Sequence, residues 1–154
     1  PMLVCEYLQG GSLKDRLASQ AALSPSQACD LVLALLDGLG YMHGQSVLHR
    51  DIKPSNIAFT ATGTPKLLDF GLAALVERAR DDEGRPQGTD TASTLAGTVA
   101  YLPPEAFAMA APTPYFDLWG LAVVLAESVT GIHPFLAGAD TVANICQGTC
   151  VPRW

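Results

Sequence analysis

The chain reads as an α+β fold that is mainly α-helical. Three observations carry that reading: a capped helix opens at Ser24 and stops near Gly44, two short strand-like runs flank the turn 60–64, and a second long apolar helix runs from about residue 117. The first two lie on either side of a short polar loop, 49–56, that is rich in groups able to do chemistry.

Taken in order, Met2-Leu3-Val4-Cys5 is strand-like and passes into an extended stretch. Gly10-Gly11 breaks it, and Ser12 to Ala18 can form a short helix. Ser24-Pro25-Ser26-Gln27 then supplies a cap, a proline at the first helical position and the Gln that completes a capping box. Ala28, Leu31, Val32, Leu35, Leu36, Leu39 and Met42 follow at helical spacing, and Gly44 is the stop signal. Asp30 and Asp37 read as a solvated face of that helix. Ile57-Ala58-Phe59 and Pro65-Lys66-Leu67-Leu68 read as two strands of a hairpin. Residues 77–94 mix charges, turn formers and small polar groups, which predicts a loop rather than core. Leu118 to Val129 is apolar but carries Gly120 and Glu127, and it is shorter than the ~18 apolar residues of a membrane span, so a buried helix is expected.

Composition fits one globular unit. The chain has 154 residues, is 49% hydrophobic and only 16% charged, which excludes intrinsic disorder. A net charge of −6 and a pI near 4.8 argue against a surface for nucleic acid or anionic lipid. Cys5, Cys29, Cys146 and Cys150 have no disulfide-framework spacing. Cys146 and Cys150, with His133 upstream, lack the second ligand pair of a zinc site, so free thiols in a reducing compartment are expected.

The chemistry concentrates in His49-Arg50-Asp51-Ile52-Lys53-Pro54-Ser55-Asn56 and Asp69-Phe70-Gly71. A lone Asp or Asn in a turn usually bonds its own backbone. Here four groups fall in register. Asp51 can take a proton from an attacking hydroxyl, Asn56 and Asp69 are hard oxygen ligands for Mg²⁺ on ATP phosphates, and Lys53 adds a fixed positive charge. The hairpin would bring Asn56 and Asp69 to neighbouring strand ends, facing one site. His49 reads as a packed histidine beneath that site.

H-R-D-x-x-x-x-N followed by D-F-G is the protein-kinase signature pair. With Met2 to Leu13, Gly97-Thr98-Val99-Ala100-Tyr101-Leu102-Pro103-Pro104-Glu105 and Asp117-Leu118-Trp119-Gly120 in the same order, the chain resembles the C-terminal, large lobe of a eukaryotic-like serine/threonine protein kinase, a type also common in bacteria. The resemblance implies a partial kinase domain over 1–154, with a hinge at 3–11, a catalytic loop at 49–56, an activation segment at 69–105 and a central helix from about 117. It implies short β-hairpins at the active site and a missing small lobe, since the Gly-rich loop, the strand lysine and its helical Glu partner would precede residue 1. The chain therefore reads as a fragment, inactive by itself.

The resemblance also assigns roles. Asp51 is the base, with Lys53 and Thr98 beside it; both mark a Ser or Thr acceptor. Asn56 and Asp69 hold the metal. Cys5 lies behind the adenine, Glu6 and Leu8 offer it hinge backbone, Ala58 is its floor, and Ser12 and Ser55 lie near the ribose. His49, Phe70 and Asp117 form a buried stack. Asp117 bonds backbone around His49 and Arg50 rather than acting as a simple helix N-cap, and Glu105 pairs with an Arg beyond the chain. Arg50 is a phosphate receptor, and Thr94 is the matching phosphorylation site, with Thr89, Thr91 and Ser93 as rivals. The implied activity is ATP- and Mg²⁺-dependent phosphorylation of Ser/Thr on protein substrates in signalling, on the cytoplasmic side, with neither nucleic acid nor a membrane segment involved. The alternatives are a pseudokinase-like scaffold or regulatory binding module, and a small-molecule kinase of related fold. The 97–105 segment disfavours the last.

Overall fold

The computed structural model describes residues 4–69, 99–136 and 140–150. Five helices and one two-stranded sheet are described: α1 (Leu13–Gln20), α2 (Pro25–Gly44), β1 (Ile57–Phe59), β2 (Pro65–Leu67), α3 (Pro104–Phe107), α4 (Pro114–Thr130) and α5 (Thr141–Gln147). A 3₁₀ turn, Pro54–Asn56, leads directly into β1. The strands pair antiparallel, with Ile57 opposite Leu67 and Phe59 opposite Pro65.

Both early helices start as capping chemistry dictates. Ser24 accepts from the Gln27 N–H while the Gln27 side chain accepts from the Ser24 N–H. Ser12 and Asp15 form the same reciprocal box at α1. Ala28, Leu31, Leu35 and Leu39 form the buried face of α2, four positions at spacings of three and four. Leu36 does not belong to it; it is 38% exposed, because that stripe is too narrow to reach it. The buried face meets α4 through Leu121 and Val124, and β1 and β2 through Ile57, Phe59 and Leu67. The 49–56 loop is anchored in this core through buried Ile52.

Three expectations need correcting. Val4 and Cys5 form no strand, while Met2 and Leu3 lie outside the described residues. The short first helix runs on to Gln20. The central helix begins at Pro114, not near 117: Thr113 is its N-cap and Pro114 its first residue, a position that costs proline no hydrogen bond. Asp117 is therefore inside the first turn and is not the N-cap.

The segment at Gly10 lies against β1. Gly10 N–H donates to the Phe59 carbonyl at 2.8 Å and Phe59 N–H to the Gly11 carbonyl at 3.0 Å. A Cβ at Gly10 would stand 2.6 Å from the Thr60 carbonyl oxygen, so this approach needs glycine. Gly131, the left-handed cap that ends α4, is more constrained. Its φ is +71° and a Cβ there would lie 2.2 Å from the Ala21 carbonyl oxygen. Gly131→Ala is expected to destabilise the fold by about 3 kcal/mol, overpacking and left-handed strain together. Urea unfolding of the two proteins checks this; an unchanged midpoint would show that the α1–α4 junction simply moves aside.

Candidate active site

The 49–56 loop is held from three sides. From the first turn of α4, the buried Asp117 carboxylate accepts the His49 N–H at 2.9 Å and the Arg50 N–H at 2.7 Å. His43, in the last turn of α2, reaches the same carboxylate with Nε2 at 2.7 Å. The fully buried His49 ring completes the frame: its Nδ1 accepts the Asp51 N–H at 3.4 Å, so Nε2 carries the proton and donates to the Leu68 carbonyl at 2.9 Å. One imidazole thus couples Asp51 to the residue preceding Asp69. Burial pushes the His49 pKa down, which keeps the ring neutral in that role.

Asp51 is oriented by its neighbours. Its Oδ2 accepts Asn56 Nδ2 at 2.8 Å and pairs with Lys53 Nζ at 2.8 Å. Asn56 Nδ2 also donates to the Asp51 backbone carbonyl at 2.9 Å. The other oxygen, Oδ1, is buried and has no hydrogen-bond partner among the described residues. One oxygen is loaded with donors, while the other is buried and makes no hydrogen bond among the described residues.

Asp69 follows Leu68, whose N–H bonds the Asn56 carbonyl at 2.8 Å, so the two residues do sit at neighbouring strand ends. Arg50 and Asp69 both take left-handed backbone, at φ +68° and +59°. Ala21, Ser46 and Met109 share that region at turns and helix ends, but Arg50 and Asp69 lie inside the chemical cluster, where such strain concentrates at working sites.

Asp51, Lys53 and Asn56 are thus joined by direct bonds, with Asp69 adjoining. Phe70, Thr94 and Thr98 lie outside the described residues. Cys5 and Glu6 are exposed in an extended stretch with Leu8, and the Glu6 carboxylate pairs with Lys66. The Ser12 hydroxyl is committed to the α1 cap, although Ser12 itself bridges to buried Ala58. Ser55 is exposed. Glu105 sits exposed in α3. The sequence reading missed His43; a histidine in the last helical turn was its only signal.

A family model described as protein kinase domain matches residues 1–151. The chain belongs to the protein kinase domain family. This kinase domain is 35% identical over 149 residues to sperm motility kinase Z of Mus musculus, covering 95% of the chain and 28% of that protein. It is 34% identical over 146 residues to mitogen-activated protein kinase kinase 3 of Arabidopsis thaliana, covering 94% and 26%. It is 35% identical over 135 residues to the serine/threonine-protein kinase PknB of Mycobacterium tuberculosis, covering 88% and 21%. The chain spans between a fifth and just over a quarter of the length of these relatives.

Several cavities adjoin the kinase core among the described residues. A narrow cleft of about 10 Å³ is lined by Arg50, Asp51 and Ile52 together with Tyr101, Leu102 and Pro103. A larger one, about 580 Å³, lies between α2 and β2, lined by Leu35, Tyr41, Met42 and Leu67 among others. It lacks carboxylates, whereas the narrow cleft contains Asp51. Among the described residues no group of His, Cys, Asp and Glu has metal-cage geometry, all four cysteines are free, and no helix is long and apolar enough to cross a membrane.

A pH dependence follows from the buried histidines. Burial lowers the His133 pKa from 6.5 to about 4, and His49 moves the same way. The folded kinase domain keeps these rings neutral while the unfolded chain protonates them. Their contribution is therefore complete above about pH 6.5 and is lost as pH falls towards 4. Glu127, whose pKa burial raises, works in the opposite direction. We expect His133 to account for about 1–2 kcal/mol of the loss, after allowing for solvent screening. Denaturant midpoints of wild type and His133→Asn between pH 7 and 4.5 check this: the variant should lose less on acidification, and equal losses would contradict it.

Proposed function

We propose that this kinase domain is the large lobe of a serine/threonine protein kinase, with Asp51 as the base that receives the acceptor hydroxyl proton. The observation that carries the reading is the asymmetry of the Asp51 carboxylate, Oδ2 fixed by Lys53 and Asn56 and Oδ1 without a partner among the described residues. A Ser or Thr hydroxyl presented to Asp51 would give its proton to the carboxylate as its oxygen attacks. Lys53 fixes the carboxylate and brings a positive charge to where phosphoryl oxygens would gather.

The residues fit Mg²⁺ and ATP. Both Asn56 Nδ2 bonds go to Asp51, which turns the amide so that its carbonyl Oδ1 is the atom suited to a hard cation. Asp69 offers an exposed carboxylate from the adjoining strand end. When bound, Mg²⁺–ATP supplies the transferred phosphoryl group and neutralises charge on its oxygens. The extended 4–8 segment and Ala58 are the proposed adenine side, and Ser12 and Ser55 the ribose side. Thr98 would join Asp51 and Lys53. A phosphate on Thr94 would dock on Arg50, which lines the same cleft as Asp51. Protein substrates and a cytoplasmic site of action belong to this reading.

The test is calorimetric titration of the full protein with Mg²⁺–ATP. Asp69→Ala should weaken Mg²⁺-dependent nucleotide binding by about tenfold or more, the scale of one lost charged ligand. Equal affinity in the variant, or affinity indifferent to Mg²⁺ in the wild type, would contradict the metal assignment.

A further inference from the structure

One wall of the cleft that Asp51 lines is the segment Tyr101 to Pro103, and it has its own supports. The Tyr101 hydroxyl donates to Glu127 Oε2 of α4 at 2.6 Å. The Tyr101 ring meets the His133 ring edge-on, with centroids 4.8 Å apart and planes at 89°. His133 follows the end of α4 and is buried. Its Nδ1 accepts the Phe135 N–H at 3.1 Å, so the proton resides on Nε2. That Nε2 is buried and has no hydrogen-bond partner among the described residues. Phe135 in turn stacks on Trp119 of α4, with centroids 5.8 Å apart.

We propose that His133 is a positioning residue for the phosphoryl acceptor: locked to Phe135 on one side, its ring holds Tyr101 on the other and so fixes the distance of the Tyr101–Pro103 wall from Asp51. This rests on the reading of Asp51 as the base. The physical reason is economy of motion. The wall has no strand ladder to hold it, and an edge-on aromatic contact has a defined direction as well as attraction. The base has no freedom to follow a misplaced acceptor, because Asn56, Lys53 and His49 pin it. His133 touches neither nucleotide nor base in this arrangement, so its removal should be felt by the acceptor alone.

His133→Asn is the informative variant. Asn can still accept the Phe135 N–H, so the turn survives, but the ring edge that Tyr101 meets is gone. In the full protein, a peptide chosen from a positional-scanning Ser/Thr peptide library serves as the acceptor. His133→Asn should raise its KM about three- to tenfold, the range of one aromatic contact, while the KM for ATP and the peptide-free hydrolysis of ATP stay at wild-type values. Tyr101→Leu removes the same ring contact and the Glu127 hydrogen bond as well, so it should raise the peptide KM at least as much, and the double variant should be no worse than Tyr101→Leu alone. An unmoved peptide KM, a parallel rise in ATP KM, or additive effects in the double variant would each overturn the proposal. Failure of the wild type to phosphorylate any library peptide would overturn the underlying kinase reading instead.

Discussion

Asp51→Asn lowers phosphoryl transfer by about a hundredfold or more and leaves nucleotide affinity near wild type, which is the loss expected when a positioned base is removed. The change is nearly isosteric. Lys53 loses its carboxylate partner, but the amide can still fill the space between Lys53 and Asn56. The loss should therefore fall on turnover more than on ATP binding, since Asp51 is not among the residues proposed to hold nucleotide or metal. Steady-state rates and calorimetric ATP affinity, measured on the same preparations, separate the two. Wild-type turnover in Asp51→Asn would remove Asp51 from the chemistry.

Asp117→Ala is expected to have the largest effect on stability. The Asp117 side chain is fully buried and meets three donors, two of them backbone N–H groups that have no water to turn to. Its removal leaves those groups unpaired and releases the left-handed turn at Arg50, for a cost of about 3–5 kcal/mol. The loop carrying Asp51 loses its main anchor at the same time, so activity should fall further than the unfolded fraction accounts for. Urea unfolding combined with rates at saturating ATP checks both parts. A variant with the wild-type midpoint would mean that the loop is held by packing rather than by the carboxylate.

The helix starts were legible because they rest on local chemistry: Ser12 with Asp15 and Ser24 with Gln27 need only their own neighbours. The hairpin was legible from its turn residues, and β1 and β2 end within one residue of the expectation. Other features depended on distant partners. The strand expected at Val4 and Cys5 had no described edge to pair with, while Gly10 and Gly11 took the place beside β1. The Asp117 motif lies inside α4 rather than at its opening, and Pro114 three residues earlier is the local signal of the start. α5 was overlooked, although Asp140 caps it and Gly148 ends it. In the site, the order of motifs gave the residues, and the bonds from Asp117 to His49 and Arg50 were readable through the family resemblance. That His43 completes those bonds, and that Tyr101 leans on Glu127 and His133, depends on contacts between residues 26 to 74 apart, which no local pattern encodes.

The central claim is that this kinase domain serves transfer of the ATP γ-phosphoryl group to a Ser or Thr hydroxyl. Its most direct test is incubation of the full protein with γ-labelled ATP, Mg²⁺ and the Ser/Thr/Tyr peptide library, followed by acid hydrolysis and separation of the labelled phosphoamino acids. The account predicts label in phosphoserine or phosphothreonine that disappears without Mg²⁺. Label confined to phosphotyrosine, or no labelled amino acid at all, would contradict it.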